Sequence, residues 1–151
     1  MILHHDVTQD SNDTQQLEPM AKAAKEQLQQ SELSVTADAG YSNGKQFQAC
    51  EEAGITAYVP PNRAVNPRSK EKELFERMEQ RMQAHPEMMV SRRSIVEHPF
   101  GNLKHWLLGN GRFLLRQLEG ATAEMALAVN AYNLKRAINV LGVRRMMALM
   151  G

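Results

Sequence analysis

The chain has 151 residues, 42% of them hydrophobic and 23% charged, with one cysteine and a net charge of +1. That is the length and balance of one folded domain, and a single Cys50 excludes an internal disulfide or a metal site built from paired cysteines. The opening MILHHDVTQD lacks a basic, apolar leader and no run approaches the ~20 apolar residues of a membrane span, so the expected location is cytoplasmic.

The small net charge hides an asymmetry. Residues 1–90 hold 9 Lys/Arg against 14 Asp/Glu, a balance of −5, while residues 91–151 hold 9 against 3, a balance of +6. A basic C-terminal third points to nucleic acid or to a solvated helix face.

Taken in chain order, ILHHDV (2–7) predicts a short strand and TQDSNDT (8–14) a polar turn. Leu17, Met20, Ala21, Ala24 and Leu28 recur at helical spacing, and Pro19 fits only a first turn, so a helix is expected from about Glu18. LSVTA (33–37) reads as a strand. SNGKQFQACEEAG (42–54) reads as a capped helix with Phe47, Cys50 and Ala53 inward and Gly54 as its stop. ITAYV (55–59) is a further strand, closed by Pro60 and Pro61. Residues 60–69 read as a loop, and residues 70–85 as a charged helix with Leu74, Phe75, Met78 and Met82 on one face, ended by Pro86. A helical stretch is expected at 94–108, a break at LGNGRF (108–113), and a last helix at about 122–141. Leu127, Ala131, Leu134, Ile138 and Leu141 predict that helix's core-facing stripe, and Gly142 its stop.

Two stretches carry candidate chemistry. In TADAGYSNG (36–44), Asp38 falls just past the carboxyl end of a predicted strand, the edge at which open α/β sheets bind ligands. A carboxylate there suits a hard cation such as Mg²⁺; with Gly40 two residues on, it equally suits a turn. In SRRSIVEHPFGNLK (91–104), Arg93, Glu97 and Lys104 fall within ~40° of one another at ~100° per helical residue. One acid between two bases suits a cation held against phosphates. Ser94-x-x-Glu97 also has the form of a capping box, and Pro99 fits a helix that begins or kinks there.

VTADAGYSNG, AGITAYVP, RRSIVEHPFGNLKHWL and EMALAVNAYNLKRAINVLG, in that order, resemble the C-terminal half of bacterial insertion-sequence transposases of the DDE class. The resemblance implies an α/β fold: a partial RNase H-like arrangement of three short strands with helices, followed by a C-terminal helical segment. It implies divisions at 1–62 (the α/β core), 63–90 (a shortened insertion with a charged helix) and 91–151 (the helices bearing the Glu motif). The family's second Asp falls on Asp38 and its Glu on Glu97, as ligands of Mg²⁺ or Mn²⁺. Its Tyr-x₂-Arg-x₃-Glu-x₆-Lys signature falls on Val90, Arg93, Glu97 and Lys104, so Val90 stands where the Tyr would be. Arg93 and Lys104 would then contact DNA phosphates. No Asp matches the family's first one, since the resemblance begins within the third strand; Asp6, Asp10 and Asp13 lie in or after that strand. The chain therefore reads as shortened, lacking the N-terminal DNA-binding region, two strands and most of the insertion. The implied partners are DNA and intact transposase as a homo-oligomer, with no membrane, in the bacterial cytoplasm at the nucleoid. The implied activity is metal-dependent strand cleavage and transfer. The alternatives are a non-catalytic DNA- or transposase-binding fragment and an inactive remnant.

Overall fold

The computed structural model describes residues 1–62, 71–104 and 112–150. The described chain is mixed α/β and divides into two compact units, one of residues 10–94 and one of residues 1–9 with 95–151. Among the described residues no helix is long and apolar enough to cross a membrane.

The first unit is built on two parallel strands. Helix α1 (Leu17–Leu28) leads to β1 (Leu33–Thr36), and a single 3₁₀ turn at Ala39–Tyr41 leads to α2 (Gly44–Glu52) and β2 (Ile55–Tyr58). Pro19 lies in the first turn of α1, as its missing N–H requires. Asn43 caps α2 by accepting from the Lys45 N–H at 3.0 Å. Gly54, at φ +65°, makes the left-handed turn into β2. The strands pair in register from Leu33 with Ile55 to Thr36 with Tyr58. Phe47, Cys50, Ile55, Ala57 and Val59 form the core with Leu17, Ala21, Phe75 and Met78. Phe47 and Phe75 meet edge to face with centroids 5.5 Å apart.

Helix α3 (Lys72–Ala84) covers the edge of β2 that β1 leaves open. Ala37 donates to the Tyr58 carbonyl at 3.1 Å, so Tyr58 faces β1 and its neighbours Ala57 and Val59 turn their backbone groups the other way. There the Arg81 guanidinium donates to the Ala57 carbonyl at 3.0 Å, and the Val59 N–H is directed at the Met78 sulfur at 3.4 Å. Arg81 also pairs with Glu51 of α2 at 2.7 Å, beside Arg77 at 3.2 Å. Two helix side chains thus do for β2 what a third strand would do, and the exposed edge is closed.

Helix α4 (Glu87–Asn102) starts seven residues before the expected 94, directly after Pro86, and runs through Pro99. Ser94 is therefore inside a helix and does not cap one. In the second unit, α5 (Gln117–Leu141) is followed at Gly142, φ +78°, by α6 (Val143–Met150).

Two expectations are corrected in the second unit. Residues 2–7 form no strand: among the described residues the sheet has two strands, β1 and β2. Instead the side-chain amide of Asn133 takes both backbone groups of Ile2, accepting its N–H at 2.8 Å and donating to its carbonyl at 2.7 Å. A strand exists only through a neighbouring strand, and here an amide side chain stands in for one peptide of it. The stripe of α5 is also reversed. Ala128, Val129 and Tyr132 are buried, with Ala128 and Tyr132 packed against Leu103 and Ile2, whereas Leu127 is 70% and Leu134 50% exposed. Residues 63–69 of the loop expected at 60–69, the end of the helical stretch expected at 94–108 and most of the break expected at 108–113 lie outside the described residues.

Candidate active site

Asp38 stands two residues past the end of β1, where the strand's carboxyl edge was expected to present it. Its backbone is extended, at φ −86° and ψ 176°, and its Oδ1 accepts from the Gly40 N–H at 2.9 Å, which fixes the side chain at the head of the 3₁₀ turn. The turn role read from Gly40 is therefore real. It uses one oxygen and leaves the carboxylate 53% exposed.

The other oxygen has an unforeseen partner. Arg92 of α4, half-buried, donates from Nη2 to Asp38 Oδ2 at 3.2 Å. The two residues are 54 positions apart. Tyr41, half-buried at the end of the turn, shares this surroundings: burial pushes its hydroxyl pKa up, the negative charges of Asp13 and Asp38 add to that, and Arg92 opposes them. The cluster of Asp38, Arg92, Tyr41 and Asp13 is thus drawn from three separate stretches of sequence.

Of the pair Arg92–Arg93, sequence spacing singled out Arg93. The structure leaves Arg93 exposed and brings Arg92 to the carboxylate. Lys104 is exposed and lies beyond the end of α4. Glu97 lies on α4, but its side chain is outside the described residues. Among the described residues, no group of three His, Cys, Asp or Glu side chains is gathered in a metal-binding arrangement. A cavity of about 310 Å³ at the start of α2, lined by Thr14, Ser42, Asn43, Lys45, Glu71 and Phe75 among others, includes none of the expected site residues. Gly44, which also lines it, packs closely on the start of α3: an added Cβ would lie 3.2 Å from the Cβ of Glu71 and 3.3 Å from the Phe75 ring.

The family model of the transposase DDE domain matches residues 1–134. The chain belongs to that family. The match includes Asp38, the whole of α4 and most of α5. Transposases act on DNA, and DDE transposases as a family use divalent metal. No curated protein and no solved structure matches the chain.

The donor chemistry of Asp38 fits such a cation. A carboxylate oxygen is a hard ligand with two lone pairs, so neither the Gly40 N–H nor the Arg92 contact exhausts it. Mg²⁺ is held through one or two carboxylates completed by water and substrate phosphates.

Proposed function

We propose that this DDE transposase chain contributes two of the three acidic metal ligands of the family's site, Asp38 and Glu97, to metal-dependent cleavage and transfer of DNA strands. The observation that carries this reading is the position of Asp38: an exposed carboxylate fixed by a turn at the carboxyl end of a parallel strand, inside the family match. The bound cation, Mg²⁺ or Mn²⁺, would activate an attacking water or 3′-hydroxyl and stabilise the leaving oxygen. The chain's own part is to hold Asp38 in one orientation, through Gly40 and Arg92, and to bring cationic side chains to the phosphates. Arg93 and Lys104, both exposed, are proposed for the latter role. The setting is the bacterial cytoplasm, on nucleoid DNA, with intact transposase as the oligomeric partner.

These 151 residues offer no match for the family's first Asp. The isolated chain is therefore expected to bind Mn²⁺ weakly and to cut DNA no faster than background. Mn²⁺ binding followed by electron paramagnetic resonance tests the ligands: binding should fall in Asp38→Ala and in Glu97→Ala. Binding that is equal in wild type and both variants would remove the site assignment. Incubation with Mn²⁺ and supercoiled plasmid tests the inactivity. Nicking that disappears in Asp38→Ala would mean that another residue of the chain supplies the third ligand.

A second reading, a non-catalytic DNA-binding fragment, is favoured by the +6 charge of residues 91–151 and by the use of Asp38 in an ion pair. Both readings expect weak, sequence-independent binding, micromolar or weaker at physiological salt. Only the first expects metal binding to depend on Asp38.

A further inference from the structure

Immediately before α5 the chain reads Arg112-Phe113-Leu114-Leu115-Arg116. Its three apolar side chains are all exposed, Leu114 at 88%, and Leu118 in the first turn of α5 adds a fourth. Exposed leucines are ordinary on loose loops. This segment is not loose. Both carboxylate oxygens of Glu124, in the second turn of α5, accept from the Leu114 N–H, at 2.8 and 3.1 Å, and one of them accepts from the Leu115 N–H at 3.0 Å. Gly120 lets Leu115 lie close: a Cβ there would sit 2.9 Å from the Leu115 Cβ. Gln117 completes the bend with φ +64°, a left-handed conformation that costs a residue with a Cβ some strain. A carboxylate clamp, a required glycine and a strained residue together hold an apolar ridge out toward solvent.

The charges around the ridge say what it suits. Arg112 and Arg116 bracket it, both are exposed, and among the described residues neither makes an ion pair. Glu124 is engaged by the clamp, which leaves Glu119 as the acid in the first turn. A second copy of this chain is a poor occupant, because a two-fold contact sets the same patch against itself and brings four unpaired arginines together. A duplex is a good one. Proteins that bend DNA insert an apolar side chain between base pairs while arginines hold the phosphates on either side.

We propose that Arg112–Arg116 is a DNA-contacting wedge, with Leu114 at a base step and Arg112 and Arg116 on flanking phosphates. The wedge rests on the reading that this chain acts on DNA, and it is separate from the proposed contacts at Arg93 and Lys104. The test uses the full chain and a short duplex of mixed sequence carrying 2-aminopurine, whose fluorescence rises on unstacking. Binding is titrated at several salt concentrations. Arg112→Gln with Arg116→Gln should flatten the slope of log K against log salt by close to two units. Leu114→Ser should abolish the fluorescence rise and weaken binding about tenfold with the slope unchanged. These side chains are exposed, so the circular dichroism of each variant should match wild type. An unchanged slope in the arginine variant, or an unchanged fluorescence rise in Leu114→Ser, overturns the proposal. So does a Leu114→Ser variant that loses a dimer in sedimentation while binding DNA normally, since the ridge is then a chain–chain contact. A wild-type chain that binds no duplex at low salt removes the DNA reading itself, whereas normal wild-type binding with unaffected wedge variants removes only the wedge.

Discussion

Replacing Arg81 with methionine isolates what the guanidinium does at the edge of β2, because methionine keeps an apolar stem. Two interactions are lost. The larger is the hydrogen bond that Arg81 donates, at 3.0 Å, to the carbonyl of Ala57, a residue only 1% exposed. A buried carbonyl left without a donor costs ~1–3 kcal/mol. The smaller is the contact with Glu51, which keeps Arg77 at 3.2 Å, and pairs this accessible contribute up to ~1 kcal/mol. The expected loss is therefore about 2 kcal/mol, most of it from the carbonyl. With a urea slope of roughly 2 kcal/mol/M, the unfolding midpoint should fall by about 1 M. Glu51→Gln serves as the comparison, since it weakens the ion pairs and leaves the Ala57 contact in place; it should cost about half as much or less. Urea unfolding followed by far-ultraviolet circular dichroism reads both. Equal losses in the two variants, or a loss within ~0.5 kcal/mol of zero for Arg81→Met, would refute the idea that α3 stands in for a strand.

Burial pushes the Cys50 thiol up to about 11, from 9.0, with the nearby Glu18 charge adding to the shift. A raised folded-state pKa means stability fully present below about pH 9 and lost between about pH 9 and 11, by some 2–3 kcal/mol, which Cys50→Ala should largely remove from the pH profile. A thiol reagent at neutral pH should label Cys50 only as fast as the core opens; labelling at the rate of a free thiol would contradict its burial. Asn133→Ala should free the N-terminal segment and raise its cleavage in limited proteolysis at least ~5-fold, the equivalent of two hydrogen bonds of modest net strength, with no change if the contact is incidental. Gln117→Gly should stabilise the chain by ~0.5–1 kcal/mol by relieving the left-handed residue, and a loss in thermal unfolding would show that the side chain is needed.

The α/β core was legible because local chemistry and burial agree there. Leu33–Thr36 and Ile55–Tyr58 are β-rich runs bounded by turn residues, and α2 has both its Asn43 cap and its Gly54 exit in the sequence. The start of α4 was misread because Ser94-x-x-Glu97 looked like a capping box, while Pro86 was the stronger boundary. The stripe on α5 failed for a different reason. Leu127 and Leu134 lie on one face, Val129 and Tyr132 on another, and periodicity finds apolar faces without saying which of two is covered. At the site, the position of Asp38 followed from its place after β1. Arg92 did not, because its neighbour Arg93 is chemically identical and only a contact 54 residues long in sequence tells them apart.

One device recurs in both units: a helix side chain satisfies a backbone that an adjoining strand would otherwise satisfy. Arg81 and Met78 do this at Ala57 and Val59, and Asn133 does it at Ile2. The requirement is strictest at the buried Ala57 and Val59 and weaker at the half-buried Ile2, but in each case a peptide group drawn out of water needs a partner and does not need that partner to be a peptide. Such contacts differ from a strand in what they specify. A ladder of backbone bonds fixes register along its whole length, whereas Arg81 fixes one carbonyl and Asn133 one residue. They also rest on single side chains, so one substitution removes each, while a strand pairing survives most substitutions because its bonds are made by the main chain. The stability of the α/β unit therefore depends on α3 far more than the charged, weakly apolar sequence of that helix suggests. Its basic residues are not only a solvated surface: Glu51 of α2 pairs with Arg81, which closes β2, and with Arg77 beside it, and among the described residues the strand that pairs with β1, whose far end presents Asp38, is β2.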